Sequence, residues 1–192
     1  MVGVLALQGD FREHFAVLCK LGVDAKEVRT KEDLSRVDGL IMPGGESTTI
    51  NKLLRRQGLD EEIKRKARIG FPVFGTCAGA ILLSKEIIGD SQQPLGLLDI
   101  SVKRNAYGAQ LDSFEEDIDV KGIGLVKAAF IRAPLITRVG KGAEVLARYQ
   151  GNPVLVRQGN LLASTFHPEI EGETKIHELF LKMIKERRTP SE

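Results

Sequence analysis

The apolar positions of this chain change period several times, and each change predicts an element. Val2 to Leu7 is almost uniformly apolar, as expected of a strand covered on both faces. Phe11, Phe15 and Leu18 then recur at helical spacing, Leu21 continues the face, and Gly22 stops it, with Asp10 placed to cap the start. Val23 to Val28 and Gly39 to Met42 predict two more strands. The second of these runs into a loop, Pro43 to Thr49, that opens into the helical pattern of Ile50, Leu53 and Leu54. A helix from about Leu59 to Ile69 carries Glu61, Glu62, Lys64, Arg65 and Lys66 on a solvated face. Phe71 to Phe74 is the next apolar run, and a helix is expected from Ala78 to about Ile87. Strands alternating with helices in this way predict a parallel sheet with right-handed crossovers.

Beyond residue 90 the pattern shortens. Leu95 to Val102, Ile118 to Val120, Ala129 to Ile131, Val145 to Ala147, Val154 to Val156 and Leu161 to Thr165 read as further strands, partly antiparallel, with a hairpin at Gln150-Gly151-Asn152-Pro153. Helical spacing returns in Ile176, Leu179, Phe180, Met183 and Ile184, one apolar face, before a tail from Arg187 to Glu192. The fold class is α/β, a three-layer arrangement of a mixed, mostly parallel open sheet with helices on both faces. A chain of 192 residues fits one domain, 1–192.

Composition narrows the function classes. The apolar fraction of 42% and charged fraction of 28% are those of a globular protein, and a net charge of +2 makes no electrostatic case for nucleic acid. No run approaches the roughly 20 apolar residues of a membrane span, and the N-terminal run reads as a strand rather than a signal peptide. Two cysteines cannot build a disulfide framework, so a cytoplasmic location is the expectation. Cys19 lies in the first helix without histidine or glycine company and reads as core or flank. His14 reads as a surface or interface residue, and His177 as structural.

The chemistry concentrates at two strand ends. Gly75-Thr76-Cys77-Ala78-Gly79 lies between an apolar run and a helix, which is the nucleophile-elbow pattern with cysteine in the serine position. Glycines two residues to either side permit a sharp turn and close packing. A helix N-terminus favours the thiolate. Taken alone, the pattern also fits a buried structural cysteine. His167 follows the strand from Leu161 at the edge where parallel sheets place their ligands. In extended backbone residues two apart share a side, and Pro168 favours extended geometry at His167, so His167 and Glu169 face the same way. That pairing gives the thiol a base and the base an orienting carboxylate; an ordinary surface ion pair is the other reading.

Phe74-Gly75-Thr76-Cys77-Ala78-Gly79, Pro43-Gly44-Gly45-Glu46-Ser47-Thr48 and Ser164-Thr165-Phe166-His167-Pro168-Glu169 resemble class I (triad) glutamine amidotransferases. Leu5-Ala6-Leu7-Gln8-Gly9, Val102-Lys103-Arg104-Asn105 and Phe130-Ile131-Arg132-Ala133-Pro134 extend the resemblance to the glutaminase subunits of pyridoxal 5′-phosphate synthases, over essentially the whole chain. The resemblance implies a flavodoxin-like glutaminase domain that hydrolyses L-glutamine to L-glutamate and ammonia. Cys77 would be the nucleophile that forms a γ-glutamyl thioester, His167 the base and Glu169 its orienting group. Gly45 and Ala78 would supply the oxyanion hole. Gly45, Glu46, Ser47, Arg104, Ile131 and Arg132 would bind glutamine, with Arg104 suited to its carboxylate and Glu46 to its ammonium.

No cofactor or metal is implied. The implied partner is a (β/α)8-barrel synthase subunit, in a hetero-oligomer with no nucleic acid or membrane, and the Gln8 to His14 segment is a candidate contact. A Gly44-Gly45 peptide able to flip would let that partner align the oxyanion site. Two rival readings are the glutaminase subunit of imidazole glycerol phosphate synthase, which the Pro-Gly-Gly-Glu-Ser-Thr and Phe-Ile-Arg-Ala-Pro stretches disfavour, and a non-catalytic binding module on the same fold.

Overall fold

In the computed structural model, which describes residues 1–104, 113–170 and 172–188, the N-terminal strand β1 (Val2–Leu5) is buried at every position. Its alternate side chains enter two different cores. Val2 and Val4 join the core shared with α1 (Phe11–Lys20) and α6 (Lys175–Arg188), whereas Leu5 joins the core under α2 (Lys31–Ser35), α3 (Ser47–Gln57), α4 (Leu59–Arg68) and α5 (Ala78–Leu83). The same period of two sends Ile41 and Phe74 to the first core and Leu40, Met42 and Val73 to the second. Helices therefore cover both faces of one sheet, as the uniformly apolar strands predicted.

Among the described residues that sheet has nine strands. β2 (Ala25–Val28), β1, β3 (Leu40–Met42), β4 (Val73–Thr76) and β12 (Leu161–Ser164) run parallel, and β11 (Asn152–Gln158), β10 (Glu144–Tyr149), β7 (Ser113–Val120) and β8 (Gly124–Ile131) continue it antiparallel. The Gln150-Gly151 turn closes the β10–β11 hairpin as expected, with Tyr149 opposite Asn152. The antiparallel half curls until β8 reaches the residue just beyond β12: the His167 amide donates to the Ala129 carbonyl at 2.8 Å. Phe114, Phe130, Tyr149 and Phe166 fill the curl, with neighbouring ring centroids 4.8 to 5.7 Å apart.

Three expectations change. The helix after Cys77 ends at Leu83 rather than near Ile87, because Ser84 turns extended and its hydroxyl donates to the Ile81 carbonyl at 2.8 Å. The chain then forms β5 (Ser84–Ile87), which joins β6 (Leu98–Lys103) and β9 (Leu135–Val139) in a second sheet. β9 and the single-turn α2 escape the hydrophobic pattern; α2 buries only Leu34, and a Thr30–Asp33 capping box holds it. Asp10 occupies the N-cap position of α1 but makes no side-chain cap. Asn105 and residues 189–192 lie outside the described residues. Among the described residues no helix is long and apolar enough to cross a membrane.

Candidate active site

The elbow after β4 works by clearance. A Cβ on Gly75 would lie 2.5 Å from the Gly79 carbonyl group, and one on Gly79 would lie 2.0 Å from the Met42 carbonyl oxygen. Both glycines are therefore required by backbone contact, while the positive dihedral falls on Cys77 itself, at φ 47° and ψ −102°. A side chain held there costs about 1–3 kcal/mol. The surrounding backbone holds it: the Cys77 amide donates to the Ser164 carbonyl at 2.9 Å, and its carbonyl accepts from Ile81 at 3.1 Å. Ala78 is the first residue of α5, so its amide has no acceptor inside the helix.

β12 lies beside β4 in parallel register, Ser164 opposite Thr76, so Cys77 and His167 leave the same edge of the sheet. His167 Nδ1 is 2.6 Å from Glu169 Oε1, and both residues are buried. Nδ1–H thus donates to the carboxylate, which turns Nε2 over to the thiol side. Burial by itself pushes the His167 imidazole down. Its hydrogen bond and charge interactions with Cys77 and Glu169 outweigh that, and raise it to about 10. Hydrogen bonding and charge around the ring thus favour the imidazolium form.

Glu169 has a second neighbour, which the sequence pattern misassigned. His14 is fully buried, with Nε2 3.2 Å from Thr76 Oγ1 and 3.7 Å from Glu169 Oε1, and Nδ1 2.9 Å from His177 Nε2. The buried face of α1 is His14, Val17 and Leu18, rotated from the Phe11 and Phe15 stripe, both of which are only partly covered. That rotation brings His14 inward and leaves Cys19 exposed on the flank. Burial holds His14 well below its usual pKa, as do the charges of His177 and His167; burial lowers His177 to about 4. His177 is fully buried, and all three histidines of the chain meet here.

A pocket of about 370 Å³ opens over Cys77 and His167. Gly45, Glu46, Ser47, Arg104, Ile131 and Arg132 all line it, together with Asp10, Ile81 and Pro134. Glu46 also caps α3, accepting from the Thr48 and Thr49 amides at 3.2 and 2.7 Å. Burial raises the Glu46 carboxyl, but these bonds and those of the threonine hydroxyls prevail and lower it to about 2. Arg104 reaches Glu46 at 3.3 Å and Asp90 at 2.8 Å, so two of the three charged glutamine-binding candidates belong to one network. The curl of the sheet delivers Ile131, whose carbonyl is 3.8 Å from Cys77 Sγ, and Arg132, at φ 46°. The Gly44 carbonyl accepts from the Asp10 amide and Gln8 Oε1 accepts from the Glu46 amide, which anchors the Gly44-Gly45 turn on both sides. In the Gln8 to His14 segment, Asp10, Arg12 and Glu13 are exposed and His14 is buried.

Asp10, His167 and Glu169 bring donor atoms within 4.8 Å of one another. The short Nδ1–Oε1 bond already joins two of them, so the set is a hydrogen-bonded pair beside a carboxylate rather than a metal cage. Asp10, Thr76, His14 and His177 are the neighbours that sequence reasoning missed. For His14 the available signal was its position four residues before Leu18, on one helical face.

The model of the SNO glutamine amidotransferase family matches residues 4–186. The chain is 56% identical to the pyridoxal 5′-phosphate synthase subunit PdxT of Thermosipho africanus, over 96% of this chain and 98% of that one. It is 56% identical to the PdxT of Thermus thermophilus, over 95% and 97%. A crystal structure of a glutamine amidotransferase superposes with a TM-score of 0.93 at 54% identity, covering 96% of this chain and 98% of that one.

Proposed function

The chain belongs to the SNO glutamine amidotransferase family, and from that premise we propose that it is the glutaminase subunit of a pyridoxal 5′-phosphate synthase. It hydrolyses L-glutamine to L-glutamate and passes the ammonia to a (β/α)8-barrel synthase subunit. The observation that carries the reading is the junction of β4 and β12, where a strained Cys77 meets His167 and the His167–Glu169 bond is 2.6 Å. The names of the relatives supply the synthase.

The Cys77 thiolate attacks the side-chain amide carbon, and the carbonyl π electrons move onto oxygen. Amides of Ala78 and Gly45 hold that oxyanion; losing one such donor typically costs roughly 10²- to 10³-fold in turnover. Collapse expels ammonia with a proton from the His167 imidazolium and leaves a γ-glutamyl thioester. His167 then takes a proton from water, the hydroxide oxygen attacks the thioester, and the Cys77 thiolate departs. Glu169 keeps Nδ1 protonated throughout. Arg104 takes the substrate carboxylate and the Glu46 side the ammonium, with Ser47, Ile131 and Arg132 completing the site. Because the Gly44 carbonyl is hydrogen-bonded to Asp10, aligning the Gly45 amide by a peptide flip must break that bond, and docking of the synthase subunit supplies the compensation.

The test is ammonia release from glutamine with and without the synthase subunit, together with alkylation by an electrophilic glutamine analogue. The expected results are turnover in the complex and an adduct on Cys77. An adduct on the exposed Cys19, or no ammonia from the complex, would overturn the reading.

A further inference from the structure

Resting on the glutaminase reading, we propose that His14 and His177 form a buried positioning relay for Glu169. In it His177 selects the His14 tautomer that presents an N–H to the carboxylate.

The need is visible at Glu169. The carboxylate is buried; Oε1 accepts from His167, and Oε2 has no hydrogen-bond partner among the described residues. A buried carboxylate short of donors is costly, and each N–H turned towards it helps to hold it in place beside His167. On the other side of the carboxylate stands His14 Nε2, 3.7 Å from Oε1.

Whether His14 can donate depends on where its single proton sits. A neutral imidazole carries one N–H, and the groups facing His14 are His177, Thr76 and Glu169, with the His167 charge beyond them. The 2.9 Å contact between His14 Nδ1 and His177 Nε2 contains one proton. If His14 donates it, His14 Nε2 turns a lone pair towards an anion. His177 must then carry its own proton on Nδ1, an atom with no partner among the described residues. If His177 donates instead, His14 holds an Nε2–H between Thr76 Oγ1 and Glu169 Oε1, and the atom left unpartnered on His177 is an acceptor. Orphaned buried donors are rarer than under-satisfied acceptors, and the carboxylate favours the donor orientation. Both terms select the second arrangement.

The chain then reads His177 Nε2–H to His14 Nδ1, His14 Nε2–H towards Glu169, and His167 Nδ1–H to Glu169 from the other side. Neither His14 nor His177 lines the substrate pocket. They act through Glu169, on turnover rather than on glutamine affinity.

The experiment has a structural arm and a kinetic arm. Imidazole nitrogen spectra of ¹⁵N-histidine-labelled protein report the tautomer: His14 should be Nε2–H, should remain so in His177→Gln, whose amide nitrogen replaces the donor, and should change in His177→Leu. In the assembled complex His177→Leu should lower kcat by about tenfold, in the range typical of residues that orient a ligand from behind. It should also shift the acid limb of the kcat pH profile and leave KM for glutamine within about twofold. His177→Gln should restore both. If His177→Leu does not fold, His177→Asn, whose shorter amide falls short of His14, takes its place. An Nδ1–H tautomer for His14, or a folded His177→Leu or His177→Asn with parental kcat and pH profile, would overturn the relay. No ammonia from the parent complex would overturn the glutaminase reading instead, and the spectra would still decide the tautomer.

Discussion

The two halves of the nine-stranded sheet contribute different things to one pocket. The parallel half ends in two residues, Cys77 after β4 and His167 after β12, held by the register between those strands and by the Cys77–Ser164 backbone bond. The antiparallel half contributes a wall, Ile131 and Arg132, and reaches the site only by curling round to the Ala129–His167 bridge. The candidate reacting groups are thus positioned by neighbouring strands in register, whereas the wall depends on a packed aromatic curl. Damage to the first half should appear in turnover, and damage to the second in stability and substrate affinity.

His167→Asn tests the first half most severely. It should lower kcat by at least about 10⁴-fold, as removal of a triad member does elsewhere, with the circular-dichroism spectrum and KM little changed. Retained turnover would mean that the base is misassigned. Phe130→Ala tests the second half by removing a fully buried ring stacked on Phe114 and beside Tyr149 and Phe166. Its expected cost is roughly 3–5 kcal/mol in urea unfolding, with KM for glutamine rising more than kcat falls. A pure kcat loss would break the division of labour.

The third prediction concerns pH on either side of Glu169. His14 and His177 titrate below the ordinary 6.5 in the folded protein, His177 near 4, so the unfolded chain binds their protons first as pH falls. Their contribution to stability is complete above pH 6.5 and is lost as pH falls below it, that of His177 towards 4. His167 has the opposite sign: raised to about 10, its contribution is complete below pH 6.5 and is lost as pH rises towards 10. Thermal unfolding across pH 4 to 10 should therefore show a maximum near 6.5. His177→Gln should flatten the acid side and His167→Asn the alkaline side; unchanged slopes in both variants would refute the assignment. The smallest effect expected is that of Glu46→Ala, about 1 kcal/mol from the lost cap on α3, measured by urea unfolding. A change within experimental error would mean that the carboxylate is free for substrate rather than engaged in the cap.

How much of this was legible in the chain follows from the range of each interaction. Periodicity revealed the β1-to-β4 strands, the helices between them except α2, and the apolar face of α6, because a buried strand or helix face writes its period into adjacent residues. The Gly75-Thr76-Cys77-Ala78-Gly79 turn and the shared orientation of His167 and Glu169 were also local matters, readable from glycine clearance and a two-residue repeat. Contacts between distant segments left no such trace. Ser84 ends a helix that its apolar pattern would have continued. β9 is recruited by pairing with β6, and Ile131 is delivered by a curl whose closing bond joins Ala129 to His167. His14 and His177 are 163 residues apart in sequence and 2.9 Å apart in space. The chain by itself determined which groups are the candidates for the chemistry, because the Cys77 turn and the His167–Glu169 pairing are each set within a few residues. Only the tertiary structure decided what stands behind Glu169, because that depends on how α1 and α6 pack against the same face of the sheet.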